Sequence, residues 1–309
     1  MIRLSGDQPV SAPSRGAVVA LGNFDGFHVG HQAVVGRAIE RARAEGRPAM
    51  VATFDPHPAR LFRPDAPPFL LTTIPQRMDL FEAFGADAAL ALPFDAKLAA
   101  VSPEGFVAEW LHDRIGAAAI VTGGDFTFGK NRAGDTDALA RLAAGHGMSA
   151  ETVASVEAQG AVASSTRVRQ HLLAGEMDAA ARLLTRPFAI QGVVQHGDKL
   201  GRTIGFPTAN LALGDYLRPA YGVYAVRGTL ADGRVVDGAA NLGIRPQFDP
   251  PKELLEPHFF DFADDLYGQT ITVELIARLR GEAKFDSLDE LTAQIAADCD
   301  EARRILAFA

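Results

Sequence analysis

A chain of 309 residues, 48% hydrophobic and 22% charged, is long enough to bury two separate cores. Its net charge of −8 argues against general nucleic-acid binding, and no apolar run approaches membrane-spanning length. The opening Met1-Ile-Arg-Leu-Ser-Gly6 lacks an apolar signal core, and Cys299 is the sole cysteine, so a reducing, cytoplasmic setting is expected. Cys299, flanked by Asp298 and Asp300 in a helical pattern, reads as a packing residue rather than a nucleophile.

From residue 17 to about 155, apolar strand patterns alternate with helical ones. The strands are expected at Ala17–Leu21, Ala49–Phe54, Ala88–Leu92, Ala118–Thr122 and Ala150–Ser155. The helices are expected at Val29–Glu45, Pro75–Phe84, Pro103–Ile115 and Asp135–Ala144. This alternation predicts a doubly wound parallel sheet, with ligands at the carboxyl ends of its strands.

After about Arg186 the pattern changes to short strands at Phe188–Gln195, Val223–Leu230, Val235–Ala240, Phe259–Phe262 and Thr270–Ile276. Ala231-Asp-Gly233 reads as a hairpin turn between two of them. A small antiparallel sheet or barrel is expected here, closed by a helix over Ser287–Ala307 with Ser287 and Glu290 as a capping box. The boundary is placed at Leu184–Pro187.

The densest motif of the first half is Gly22-Asn-Phe-Asp-Gly-Phe-His-Val-Gly-His31, a glycine-punctuated turn from strand to helix. His28 and His31 fall on one face of the first helical turn, where free N–H groups and the helix dipole favour an anion. A phosphate chain is the expected occupant. Two alternatives are a partial metal site, lacking a third ligand, and histidines that only pack or cap.

Three further segments belong with it. Thr53-Phe-Asp-Pro-His-Pro58 ends the second strand, with prolines expected to hold an extended exit and His57 to project into the crevice or rest in a turn. Gly123–Asn131 nearly spells a phosphate-binding Walker loop, but Asn131 stands where a hydroxyl must bind magnesium, and Phe126 and Phe128 crowd the cradle. A turn that receives a base or flavin ring fits better. Ser164-Ser-Thr-Arg-Val-Arg169 opens a helix with capping hydroxyls. Its two arginines oppose the local dipole by ~0.3–1 kcal/mol each, which a bound anion would offset.

In order, these four segments resemble the adenylyltransferase module of bacterial bifunctional riboflavin kinase/FAD synthetases. The second half carries Gly201-Arg-Thr-Ile-Gly-Phe-Pro-Thr-Ala-Asn210, where Thr208 and Asn210 alternate onto one face as hard oxygen donors, or form a polar edge strand. This motif resembles the riboflavin kinase signature. The likeness continues through Tyr221–Tyr224, Asn241–Pro246, Glu256–Phe262, Asp265–Gly268 and Leu279–Phe285, so it covers essentially the whole chain.

The resemblance implies a nucleotidylyltransferase domain over 1–185 and a β-barrel kinase domain with a C-terminal helix over 186–309. It makes Glu256 the base that deprotonates the ribityl 5′-hydroxyl, and gives Thr208 and Asn210 to Mg2+ and the ATP phosphates beneath the Gly201–Gly205 loop. It makes His28 and His31 the groups that stabilise charge during adenylyl transfer, with Gly22, Asn23, Phe24 and Gly30 at the phosphate turn. Ser164, Thr166 and Arg169 assist, and His57, Asp125, Phe126 and Phe128 fall to the flavin.

The chain departs from the family pattern at Gly124, Thr127 and Gln247, and Leu255 and Pro257 flank Glu256 where a more regular strand is expected. The function expected is Mg-ATP-dependent phosphorylation of riboflavin to FMN, then adenylylation of FMN to FAD. The partners expected are these small molecules, with no nucleic acid or membrane. The alternatives are one active module beside a regulatory one, or a flavin carrier without turnover.

Overall fold

The computed structural model describes residues 1–196, 205–245 and 252–308. Packing divides the chain into two compact units: Met1–Pro67 with Ile74–Ser164, and Pro68–Thr73 with Ser165–Ala309.

The first unit is a six-stranded sheet whose pairings are all parallel, in the order β1-β4-β3-β2-β5-β6. The strands are β1 (Ile2–Ser5), β2 (Val18–Leu21), β3 (Ala49–Asp55), β4 (Ala88–Pro93), β5 (Ala119–Gly123) and β6 (Ser149–Val153). Both faces of β2 are buried, which accounts for its unbroken apolar sequence. Two apolar clusters cover the two faces: Val19, Leu90 and Ile120 belong to one, Val18, Ala89 and Val121 to the other. β1 was not expected; its four residues, Ile-Arg-Leu-Ser, are too short and polar to signal a strand before pairing with β4.

The helices are α1 (Val29–Glu45), α2 (Pro58–Phe62), α3 (Ile74–Ala83), α4 (Ala96–Ala99), α5 (Pro103–Gly105), which runs on as a π-helical segment over Phe106–Ile115, and α6 (Thr136–Gly145). Asp135 caps α6, its Oδ1 accepting the Ala138 N–H at 2.8 Å. A hairpin of β7 (Glu157–Ala158) and β8 (Ala161–Val162) turns through Gln159 and Gly160, both at positive φ.

The strand order reverses beside β2. The chain moves outward from β2 to β3 and β4, then returns to place β5 on the other flank of β2. Loops leaving the carboxyl ends of β2 and β5 therefore flank a topological switch point, where open α/β sheets take their ligands.

The second unit is antiparallel, in the order β10-β13-β12-β11-β14-β9. Its strands are β9 (Phe188–Val193), β10 (Leu211–Ala212), β11 (Gly222–Thr229), β12 (Val235–Arg245), β13 (Lys252–Phe259) and β14 (Thr270–Arg280). A bridge between Gln195 and Asn210 links the two outer strands and brings the sheet close to a closed barrel. The strand expected at Phe259–Phe262 lies upstream instead, as β13. Pairing with β12 holds Lys-Glu-Leu-Leu-Glu extended, although these residues have little intrinsic strand preference.

Helices α7 (Ser165–Ala174) and α8 (Met177–Leu184) pack with this unit, α8 lying on β9 and β14. The change of sequence pattern at Leu184–Pro187 falls after them because their own pattern is helical. The last helix, α9 (Leu288–Leu306), buries Cys299, Ala302 and Leu306 against Ala225 and Ala239 of the barrel. Ser287 caps it through the Glu290 N–H at 3.2 Å, while Glu290 accepts the Asp286 N–H rather than that of Ser287. Arg280 fastens β14 to α9, donating to both carboxylate oxygens of Asp298 at 2.7–3.1 Å.

Candidate active sites

In the first unit the β2–α1 turn carries His28 as the N-cap of α1 and His31 one turn later. His28 is buried, and its Nδ1 accepts the Gly30 N–H at 3.2 Å. Because Nδ1 accepts, a neutral ring carries its proton on Nε2. The two imidazoles stack with centroids 3.7 Å apart and planes 23° apart. The capping arrangement, one of the alternatives expected for this pair, is thus present in His28.

Gly30 is required by close approach: a Cβ there would lie 3.1–3.2 Å from the His28 ring and 3.6 Å from the Ala163 carbonyl oxygen. That second distance brings the residue before Ser164 to the start of α1. Phe24 and Phe27 hold positive φ angles of 50° and 47°, and both rings are buried. Both lie edge-on to Phe81 of α3, and Phe24 is also edge-on to His31 at 5.4 Å. The Phe24 side chain is thus part of the core, so only its main chain is left to face a phosphate.

His57 repeats the arrangement of His28. It caps α2, its Nδ1 accepting the Ala59 N–H at 3.1 Å. The extended exit expected from Pro56 and Pro58 is not what forms: the Asp55–Pro56 bond is cis, and Pro58 opens α2, where a missing N–H costs nothing.

After β5, the loop is not a Walker cradle. Lys130–Arg132 make a single tight turn with Asn131 at positive φ instead of opening a helix. Phe128 is 6% exposed and packs on Phe106, so its ring belongs to the core. Phe126 stacks on it at 5.8 Å and is half-buried, while Asp125 is exposed.

Ser164 immediately precedes α7, and Thr166 and Arg169 lie in its first turns, within the second unit. Arg169 donates through Nε to the Phe69 carbonyl at 2.8 Å.

In the barrel, Glu256 lies in the middle of β13, opposite Asn241 of β12. On its other side β10 pairs Leu211 with Leu255, and the Ala209 N–H donates to the Pro257 carbonyl at 2.9 Å. The register between these pairs sets Asn210 opposite Glu256. Asn210, Glu256 and Asn241 therefore form one row on one face of three adjacent strands. Pro257 accepts from Ala209 but has no N–H to return, so the β10–β13 ladder ends there.

Asn210 is 7% exposed, and Thr208 is half-buried two residues earlier. Its neighbour Pro207 accepts a hydrogen bond from His258 Nδ1 at 2.8 Å. Among the described residues, the buried Asn241 Nδ2 has no hydrogen-bond partner. Gly205 is exposed at a φ of +88°; Gly201 and Gln247 lie outside the described residues.

Sequence reasoning missed Thr53, Arg77 and Phe81. Arg77 falls among Ile74, Met78 and Phe81 on the inward face of α3, and a cation at such a position is the signal that could have found it.

A histidine-bearing turn at the switch point of a doubly wound sheet, and a carboxylate beside hard oxygen donors on a barrel, are features that nucleotide-using transferases share. Two family models match the chain: FAD synthetase over residues 10–167 and riboflavin kinase over residues 184–306. The bifunctional riboflavin kinase/FMN adenylyltransferase of Escherichia coli K12 is 40% identical over 287 residues, covering 93% of this chain and 92% of that protein. The Pseudomonas fluorescens protein of the same name is 42% identical, covering 95% and 94%. A solved Streptococcus pneumoniae structure, named as a macrolide-efflux protein, matches with a TM-score of 0.85 and 33% identity over 98% of this chain and 99% of that one. Among the described residues, no helix is long and apolar enough to cross a membrane.

The chain belongs to the bifunctional riboflavin kinase/FMN adenylyltransferase family. It phosphorylates riboflavin to FMN and adenylylates FMN to FAD.

Proposed function

We propose that the two reactions are divided between residues 1–185, which adenylylate FMN, and residues 186–309, which phosphorylate riboflavin. The stacked pair His28–His31 at the start of α1 is the observation that carries the first assignment.

The FMN phosphate is already ionised, so its attack on the α-phosphorus of ATP needs alignment and charge stabilisation rather than a base. As the new P–O bond forms and pyrophosphate departs, His28 Nε2–H and His31 bear on the growing negative charge. Gly22, Asn23 and Gly30 supply close main chain. Ser164, Thr166 and Arg169 add donors, while His57, Asp125 and Phe126 attend the flavin, with Phe128 beneath Phe126.

In the kinase half, the Glu256 carboxylate takes the proton of the ribityl 5′-hydroxyl as that oxygen attacks the γ-phosphorus of ATP and ADP leaves. Such a base contributes roughly 10²–10⁴-fold. Thr208 and Asn210 are neutral hard-oxygen donors of the kind Mg2+ accepts beside phosphates, and they fit that ion. When bound, the ion neutralises charge on the phosphates undergoing transfer. Gly201 and Gly205 belong to the loop assigned to the nucleotide. A cytoplasmic setting, with these small molecules as partners and neither nucleic acid nor membrane, is supported by the net charge of −8 and the single cysteine.

The test resolves products over time from riboflavin or from FMN, with Mg-ATP. His28→Ala is expected to stop at FMN. Glu256→Ala is expected to leave riboflavin unchanged yet convert supplied FMN to FAD. Loss of both steps in either variant would count against two independent sites.

A further inference from the structure

Arg77 has the largest fully buried side chain among the described residues, with 1% of its surface exposed. Its Nη1 donates to the Asn23 carbonyl at 2.9 Å and to Thr53 Oγ1 at 3.2 Å. The Thr53 hydroxyl itself donates to the same Asn23 oxygen at 2.8 Å. One carbonyl at the head of the β2–α1 turn is thus held by a residue of α3 and a residue of β3.

The rest of α3 grips the same turn. Phe81 supports Phe24 and Phe27, whose positive φ angles shape the turn, and Phe24 abuts His31. Gln32 closes the other end, its Nε2 donating to the Phe27 carbonyl at 2.9 Å.

A guanidinium is costly to bury. Desolvation lowers the pKa of Arg77, while the charges of Asp25 and Asp55 act in the opposite direction. Arginine nevertheless keeps its proton in proteins, so a fixed cation stands behind the turn that receives the phosphates.

We propose that Arg77 is the positioning residue of the adenylyl-transfer site, fixing the Asn23 carbonyl and hence the His28–His31 turn, and backing it with a buried positive charge. This rests on the assignment of His28 and His31 to adenylyl transfer.

The full-length protein tests it through Arg77→Lys, Arg77→Gln and Thr53→Val, with His28→Ala measured alongside. Adenylylation of FMN is expected to lose turnover by about 10-fold in Arg77→Lys and about 100-fold or more in Arg77→Gln, as for a lost transition-state donor. KM for ATP and FMN should move less than about threefold, and riboflavin phosphorylation less than about twofold. That split, and the partial rescue by lysine, distinguishes positioning from a general loss of fold.

Thr53→Val, which introduces no new buried charge, should lower adenylyl turnover in the same direction and decides the matter if Arg77→Gln fails to fold. Unchanged turnover in Arg77→Lys and Thr53→Val would overturn the inference, as would equal loss of both activities. Should His28→Ala keep full FAD synthesis, the site assignment itself fails, whatever the Arg77 variants do.

Discussion

Asn241 stands directly opposite Glu256 on the β12–β13 ladder, and among the described residues its buried Nδ2 has no hydrogen-bond partner. An amide donor beside a carboxylate is suited to hold either that carboxylate or the substrate oxygen that Glu256 is proposed to deprotonate. Asn241→Ala should therefore lower riboflavin phosphorylation by about 10–100-fold, the worth of a hydrogen bond to a charged group. Adenylylation of supplied FMN should not change. Initial rates of the two half-reactions check this.

His28 caps α1 and is proposed to donate to the phosphates, and the two roles can be separated. Asparagine is a favoured N-cap and can accept the Gly30 N–H, but it has no atom equivalent to Nε2. His28→Asn should melt within about 2 °C of the parent while losing about 10²–10³-fold in adenylyl turnover. His28→Ala loses the cap as well, at a further cost of about 1 kcal/mol. Thermal unfolding and FAD formation, measured on both variants, distinguish the two contributions.

The Arg280–Asp298 pair ties the barrel to α9, with Asp298 at 6% exposure. Removing one partner of a buried pair strands the other charge. Because the Arg280 side chain keeps 24% of its exposure, water relieves part of that penalty, and Asp298→Ala should cost about 2–3 kcal/mol. The midpoint of chemical unfolding reports it.

Burial pushes the Cys299 thiol up to about 11, with the charge of Asp298 adding to the shift. The unfolded thiol ionises near about 8.5. Below that value both states keep the proton. As pH rises from about 8.5 towards about 11, only the unfolded state releases it, so stability falls across that window. Alkylation at pH ~8 should therefore label the native protein far more slowly than the denatured one.

Much of this was legible in the sequence where one signal dominated. The unbroken apolar run of β2, the glycine-rich turn and the amphipathic pattern of α1 placed His28 and His31 at a helix start. β13 was obscured because its residues become extended through pairing, and Pro257 makes the segment look interrupted. Arg77 was obscured for another reason: α3 carries it on an apolar face, and Thr53 and Asn23, which it binds, lie 24 and 54 residues away in the chain. The row Asn210–Glu256–Asn241 depends on strand register, which residue spacing along one chain does not encode.

The most direct test of two separate sites is FAD synthesis from riboflavin by His28→Asn and Glu256→Gln, each alone and mixed. Each variant alone should make FAD at no more than about a hundredth of the parent rate. The mixture should make it through free FMN, which Glu256→Gln adenylylates after His28→Asn has formed it. A mixture that still makes no FAD, or either variant making FAD alone at the parent rate, would contradict the account.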